Sequence, residues 1–214
     1  MKHALTPDKN QFLRECRAVI HIGANDGGER NLYARHGLTV LWVEALPDVF
    51  QTLKNNLDGY PKQRAIRALV TDKDGETYEF HISNNSGESS SIYEFGDHEQ
   101  LWPDVTFIKT IRLSSTTLPT LLRDAGSSPV DFDALILDVQ GAELLVIQGA
   151  GQVLDSLRFI KAEASDFESY RGACTVTTLS QALKERGFSI RHKECFAAKP
   201  GVGSYYDILY TRSA

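Results

Sequence analysis

Ala18-Val19-Ile20-His21-Ile22-Gly23-Ala24-Asn25-Asp26-Gly27-Gly28 is the stretch that decides the fold. Its first five residues are short, β-branched and apolar, with no alternation of polar positions. That pattern predicts a strand buried on both faces. A glycine-containing turn follows, then a helix carrying Leu32, Tyr33 and Ala34 that stops at Gly37. The same rhythm extends outward. Residues 39–43 read as a second strand ending at Glu44, and Pro47 opens a helix with Val49, Phe50, Leu53 and Leu57 at helical spacing. Residues 65–70 read as a third strand. Farther on, 132–137 is a buried strand ending in Asp138, 141–149 a helix, 157–162 a strand ending at Glu163, and 177–186 a helix before Gly187. Two late strands, 188–190 and 205–210, form an antiparallel edge. Strands that alternate with helices in this way imply an α/β domain around a mostly parallel sheet.

The rhythm breaks in the middle of the chain. Asp74-Gly75 reads as a turn joining 68–70 to 77–82 in a hairpin. Residues 84–91 are polar and glycine-containing, and 106–113 alternate like a strand. Ser114-Ser115-Thr116-Thr117 offers N-caps for a helix through Leu118, Leu121 and Leu122. The expectation is one domain spanning 1–214, with an excursion or lid at about 71–113.

Composition narrows the function. The chain has 214 residues, of which 42% are hydrophobic, enough for a sizeable core. Its 28 acidic against 23 basic residues give a net charge of −5 at pH 7, which argues against a nucleic-acid partner. Cys16, Cys174 and Cys195 cannot all pair and show no CxxC spacing. Reduced thiols in a cytoplasmic protein, without structural zinc, are the simplest reading. The first nine residues lack the apolar core of a secretory signal, and no apolar run reaches the ~18 residues of a membrane span.

The first chemical constellation is the glycine turn together with Glu44, an acid about 20 residues on at the adjacent strand end, where a carboxylate can bind ribose hydroxyls. A charge at the start of the following helix is the plainer alternative for Glu44. Asn25 stands where a dinucleotide site wants its second glycine, and there is no G-x-x-x-x-G-K-[ST] motif. A nucleoside without a pyrophosphate fits best, and S-adenosylmethionine is the obvious candidate.

These residues resemble a known family. His21-Ile22-Gly23-Ala24-Asn25-Asp26-Gly27, Val43-Glu44-Ala45-Leu46-Pro47 and Leu137-Asp138-Val139-Gln140-Gly141-Ala142-Glu143 are similar to the signatures of FkbM S-adenosylmethionine-dependent methyltransferases. Ile160-Lys161-Ala162-Glu163-Ala164-Ser165 and Asn85-Ser86-Gly87-Glu88-Ser89-Ser90-Ser91 fit as well. The resemblance implies a class I methyltransferase (Rossmann-like) fold: a seven-stranded, mostly parallel sheet with an antiparallel last strand and helices on both faces. It implies methyl transfer to a hydroxyl of a sugar, glycan or natural-product acceptor. Gly23, Ala24 and Asn25 would line the methionine and ribose side of the cofactor. Glu44 would hold the ribose hydroxyls, while Ala45, Ala68 and Leu69 would meet the adenine. Asp138 would lie beside the sulfonium and the acceptor. His21 stands where the family commonly has an Asp that contacts the methionine amine.

Asp138, Glu143 and Glu163 all follow or end buried strands at one sheet edge, where open α/β sheets bind ligands. Methyl transfer to an alcohol gains from positioning and from a base within reach of the hydroxyl. Asp138 is the first choice for that base and Glu163 the second. Glu143, one turn into a helix, reads as a first-turn charge or a supporting hydrogen-bond acceptor. A divalent metal shared by Asp138 and Glu163 is possible but not favoured, since a third ligand is missing. Asn85, Ser89, Ser90 and Ser91 offer donors and acceptors suited to a polyhydroxyl substrate, though solvated loops have the same composition. His81, His98, Tyr93, Phe95 and Trp102 lie nearby, as sugar-stacking groups or as packing. His3, His36 and His192 read as surface residues. The competing readings are an NAD-dependent oxidoreductase and a catalytically inactive cofactor-binding module.

Overall fold

The computed structural model describes residues 10–212. The expectations about His3 and about a leader lie outside the described residues. Strand β1 (Ala18–Ile22) is fully buried and pairs in parallel with β2 (Thr39–Glu44), which pairs with β3 (Gln63–Arg67). Helices α1 (Arg30–Arg35) and α2 (Pro47–Asn56) connect them. The excursion contains β4 (Leu69–Val70), β5 (Thr77–Ser83), α3 (His98–Leu101) and β6 (Phe107–Thr116). After α4 (Leu118–Asp124), the chain returns to the sheet through β7 (Ala134–Leu137), α5 (Glu143–Gly149), α6 (Val153–Ser156) and β8 (Phe159–Ser165). It ends with α7 (Val176–Glu185), β9 (Phe188–Lys199) and β10 (Gly203–Arg212).

The main sheet runs β3-β2-β1-β7-β8-β10-β9, with β10 antiparallel to both its neighbours. Both faces are covered, which explains why β1 is apolar apart from His21. Ile20 and Ile22 join Leu135, Leu137 and Ile160 under α4, α5 and α7, where Leu118, Val146 and Leu179 pack. Val19 and its neighbours Val40, Trp42 and Ile136 turn to the other face, against Phe12, Tyr33 and Leu53. β1 and β7 are adjacent although the chain leaves β1 for β2, so the topological switch point lies between them. Their carboxyl ends open the crevice where such sheets bind ligands.

Two sequence expectations need correction. Residues 65–70 do not form one strand: β3 ends at Arg67, Ala68 donates its N–H to the Glu44 carbonyl at 3.0 Å, and Leu69-Val70 leaves for a second sheet. That sheet runs β4-β6-β5, so the expected hairpin between 68–70 and 77–82 does not form; β6 lies between them, parallel to β4 and antiparallel to β5. The cause is long-range. The Asp74 carboxylate accepts from the Thr117 N–H at 2.6 Å and the Thr120 hydroxyl at 2.8 Å, which pins the Asp74-Gly75 turn to the start of α4. Thr117 alone caps α4, because Ser114, Ser115 and Thr116 belong to β6. The first late strand runs well past residue 190, as an exposed edge rich in charge. The second sheet joins the main body through a cluster of Leu46, Leu69 and Phe80.

Candidate active site

A cleft of about 1160 Å³ opens at the carboxyl ends of β1, β2, β7 and β8, with the second sheet as its far wall. The turn after β1 forms its floor. Gly23 and Ala24 donate their N–H groups to the Val43 carbonyl at 3.0 and 3.1 Å, folding the turn over the end of β2. Gly23 has φ 81°, and a Cβ there would run into the carbonyl oxygen of Asp138. Only glycine lets β1 and β7 approach this closely. Asn25 is also left-handed, at φ 45°, which asparagine tolerates better than most residues.

That turn aims the Asn25 N–H at Glu44. Glu44 is buried, and its two carboxylate oxygens accept from the amides of Asn25 and Leu46 at 2.9 and 2.8 Å. The second contact anchors the entry to α2, so the plainer alternative for Glu44 holds alongside any ligand role. Burial pushes its carboxyl up to about 7 despite those amides, and the Asp138 charge adds to the shift.

Asp138 has a solvent-reachable face on the cleft, while protein atoms crowd its other sides. That crowding raises its carboxyl to about 6, and the Gln140 amide, donating to Oδ1 at 2.6 Å, opposes the rise. Gln140 is held in turn: it has φ 50°, its side-chain oxygen accepts from the Tyr170 hydroxyl at 2.7 Å, and its carbonyl accepts from Ser91 at 2.7 Å. Glu163, half-buried in β8, is raised well above the usual carboxylate range by burial and then by Asp138, Glu143 and Asp207. Glu143 is buried beneath the turn after β7, where it accepts from the Val139 and Gly141 amides at 3.2 and 3.1 Å. Burial raises it to about 7. Lys161, paired with Asp207 at 3.5 Å, is the cation that opposes this field at Asp138 and Glu163. Buried carboxylates that raise one another make a pocket that gains from a cation.

The structure brings most of the sequence-derived residues to this one cleft. His21, Gly23, Ala24, Asn25, Glu44, Ala45, Ala68, Leu69, Asp138, Glu163, Asn85 and Ser90 all line it. His21 is built into the core as well. Its Nδ1 bonds the Tyr33 hydroxyl at 3.0 Å, its ring stacks on Trp42 at 4.9 Å, and burial lowers its pKa to about 4, so it is neutral. Ser89 and Ser91 do not line the cleft. They are buried turn-builders: Ser89 accepts from the Asn85 amide at 3.0 Å, and Ser91 ties the loop to Gln140. Three residues given no role at the sequence level also shape the site, Gln140, Tyr170 and Tyr205, together with His98, expected as a stacking or packing group. His98 lines the cleft, buried among Phe95, Trp102, Tyr170 and Tyr205. Tyr170 and Tyr205 meet Gln140 and His98 across 30 and 107 positions of chain, so no local motif marks them. Among the described residues, no group of three or more His, Cys, Asp or Glu is arranged to hold a metal ion, and no helix is long and apolar enough to cross a membrane.

Fold and cleft together define a class I methyltransferase. The N-terminal domain of EvdMO1, solved in the presence of SAH and D-fucose, superposes with a TM-score of 0.51 over 96% of this chain and 79% of that one, at 11% identity. The 1,6-didemethyltoxoflavin-N1-methyltransferase of Burkholderia thailandensis gives 0.50 over 92% and 71%, also at 11% identity. Closer kinship comes from sequence. Residues 21–190 match the methyltransferase FkbM domain. The chain is 30% identical over 173 residues to the 2-O-methyltransferase NoeI of Sinorhizobium fredii (strain NBRC 101917 / NGR234), covering 77% of this chain and 70% of that protein. The chain belongs to the FkbM family and is an S-adenosylmethionine-dependent methyltransferase. That sets aside the nicotinamide-dependent alternative.

Proposed function

We propose that this chain is an O-methyltransferase acting on a hydroxyl of a sugar, glycan or natural-product acceptor. The observation that carries the reading is Glu44: a buried carboxylate with each oxygen steadied by one backbone amide, in the same cleft as Asp138 and Glu163. The name of the 2-O-methyltransferase relative supports oxygen as the acceptor atom.

The residues fit the donor. Each Glu44 oxygen, holding one amide, keeps a lone pair for a ribose hydroxyl. Ala45, Ala68 and Leu69 offer an apolar face for adenine, and Gly23, Ala24 and Asn25 a close-approaching backbone for the ribose and methionine. The surplus of carboxylates matches a ligand of net positive charge. When bound, S-adenosylmethionine supplies a methyl group activated on a sulfonium. The protein positions the hydroxyl and relieves it of its proton. Asp138 is assigned the proton, since its carboxyl at about 6 is ionised at neutral pH, and Gln140 fixes the rotamer. Glu163, protonated more readily, is the second candidate. Asn85 and Ser90 meet the acceptor from the second sheet, which serves as a lid on a single catalytic domain.

Isothermal titration with S-adenosylmethionine and with NAD tests the reading. The expected result is binding of the first alone, weakened in Glu44→Ala by about 1–3 kcal/mol, the cost of unpaired ribose hydroxyls. Equal affinity in the variant would remove Glu44 from the site.

A further inference from the structure

Tyr170 is a deeply buried polar side chain that the catalytic assignments leave without a task. It is 1% exposed, and its ring packs on Phe95 and His98 at 5.6 and 5.1 Å. Its hydroxyl points away from that packing. It donates to the side-chain oxygen of Gln140 at 2.7 Å, and the Gln140 amide donates in turn to Oδ1 of Asp138 at 2.6 Å. The turn after β7 is shaped for this contact. Gln140 and Gly141 are both left-handed, at φ 50° and 101°, and a Cβ on Gly141 would lie 2.8 Å from the Ala173 side chain and 3.4 Å from that of Tyr170. Glycine lets the turn come this close.

The direction of this relay follows from its protons. Burial pushes the Tyr170 phenol well above its ordinary value, so it keeps one proton to donate. Two acceptors face it, the Gln140 amide oxygen at 2.7 Å and the Ser89 carbonyl at 3.3 Å, and the nearer takes the stronger bond. With its oxygen held by Tyr170, the amide presents its nitrogen end to Asp138. The reverse orientation would press an amide oxygen against a carboxylate oxygen, which is tolerable only with a proton between them. An N–H donated to a carboxylate favours the charged form, and the Gln140 contact opposes the rise that burial imposes on Asp138. The same turn is tied to the loop that carries Asn85 and Ser90, because the Ser91 hydroxyl donates to the Gln140 carbonyl at 2.7 Å.

We propose that Tyr170 is a positioning residue for methyl transfer: its hydroxyl sets which end of the Gln140 amide faces Asp138, and so holds that carboxylate in the form that takes a proton from the acceptor. The inference rests on the assignment of Asp138 as the base, and it adds the residue that orients the base's partner. Other charges act on Asp138 as well: Glu29, Lys161 and Asp207, together with Glu44, Glu143 and Glu163, whose carboxyls its own charge raises. Tyr170→Phe keeps the ring and leaves all six in place, so what it changes belongs to the hydroxyl.

The test is a pH titration of the full chain by NMR, reading the ¹³C carboxyl signal of Asp138, assigned by its loss in Asp138→Asn, and the side-chain ¹⁵N signal of Gln140. In the wild type the Gln140 nitrogen is expected to move with the Asp138 titration, as a donor to that carboxylate must. Tyr170→Phe should raise the Asp138 midpoint by about one unit, the weight of a hydrogen bond to a charged group. Gln140→Ala should raise it as far, and the double variant no farther, since a residue that acts through another adds nothing once the other is gone. A Gln140 nitrogen indifferent to Asp138 overturns the proposal without any variant. So does an unchanged midpoint in Tyr170→Phe, or shifts that add in the double variant, whatever the variants do to the melting temperature. The titration needs no ligand, so it is separate from donor binding: failure of the wild type to bind S-adenosylmethionine would instead strike the methyltransferase reading.

Discussion

The proposed donor side and the proposed acceptor side of the cleft are assembled by different means. On the donor side every group sits at or beside a strand's carboxyl end: Gly23 after β1, Glu44 at the end of β2, Asp138 after β7, Glu163 in β8. Backbone pairing of a parallel sheet places them, so their positions follow once the strands register. Across the cleft, Asn85, His98, Trp102 and Phe196 come from a loop, a one-turn helix, its end and an edge strand. His98 meets Tyr205 across 107 positions of chain. Only Phe196 is carried by a ladder, that of β9 with β10; the others are placed by aromatic packing and side-chain hydrogen bonds. One half is rigid by construction, and the other can vary without unmaking the sheet.

The contrast breaks most sharply at glycine. Gly23→Ala should cost about 4 kcal/mol or more, since it adds backbone overlap with Asp138 to a left-handed φ, and thermal unfolding reads the loss. Gly87→Ala, left-handed too but tight only against the side-chain tip of Leu46 at 3.1 Å, with Val49 and Ser90 at ordinary contact, should cost about 1–2 kcal/mol. Equal costs would erase the distinction between the halves. Chemistry is the next lever. Asp138→Asn should lower turnover by about two to four orders of magnitude while changing donor affinity much less, with product mass as the readout. Activity near wild type would move the base to Glu163.

A third expectation concerns pH and the donor half alone. Glu44 and Glu143 stand at about 7 when folded, above the ordinary value of 4.5, so the folded protein holds more protons than the unfolded chain between those values. Stability of the ligand-free protein therefore falls as pH rises from about 5 to 8, by of order 3 kcal/mol per group. Saturating S-adenosylmethionine, a cation, should flatten that slope. Denaturant titration across the range decides, and a rising slope would refute the burial of these acids. The smallest effect belongs to the acceptor loop. The Ser83 hydroxyl meets Asn85 Oδ1 at 2.6 Å and the Ser89 N–H at 3.1 Å. Ser83→Ala should cost about 1–2 kcal/mol and leave donor affinity unchanged.

The donor half was legible for a physical reason. A strand buried on both faces must be mostly apolar, as at Val19, Ile20 and Ile22, with its one polar residue, His21, hydrogen-bonded to Tyr33, and a turn that brings backbones together must use glycine, as at Gly23. Glu44 stood out by its spacing from the glycine turn, at the end of the adjacent strand. The excursion was harder. Asp74-Gly75 has hairpin chemistry, yet Thr117 and Thr120 capture its carboxylate, and nothing within ten residues announces that. Ser89 and Ser91 have the composition of a solvent-facing polar loop, but they are buried and satisfied by Ser83, Asn85 and Gln140.

The sequence by itself determined the alternation of strands and helices, the glycine turn, and the acids that follow the strands, because periodicity and backbone sterics act over a few residues. The tertiary structure decided which strands of the excursion pair, how far burial raises Glu44, Asp138 and Glu143, and where the His98 imidazole comes to rest. Those depend on desolvation and on contacts between segments far apart in the chain, and neither is written in any local stretch.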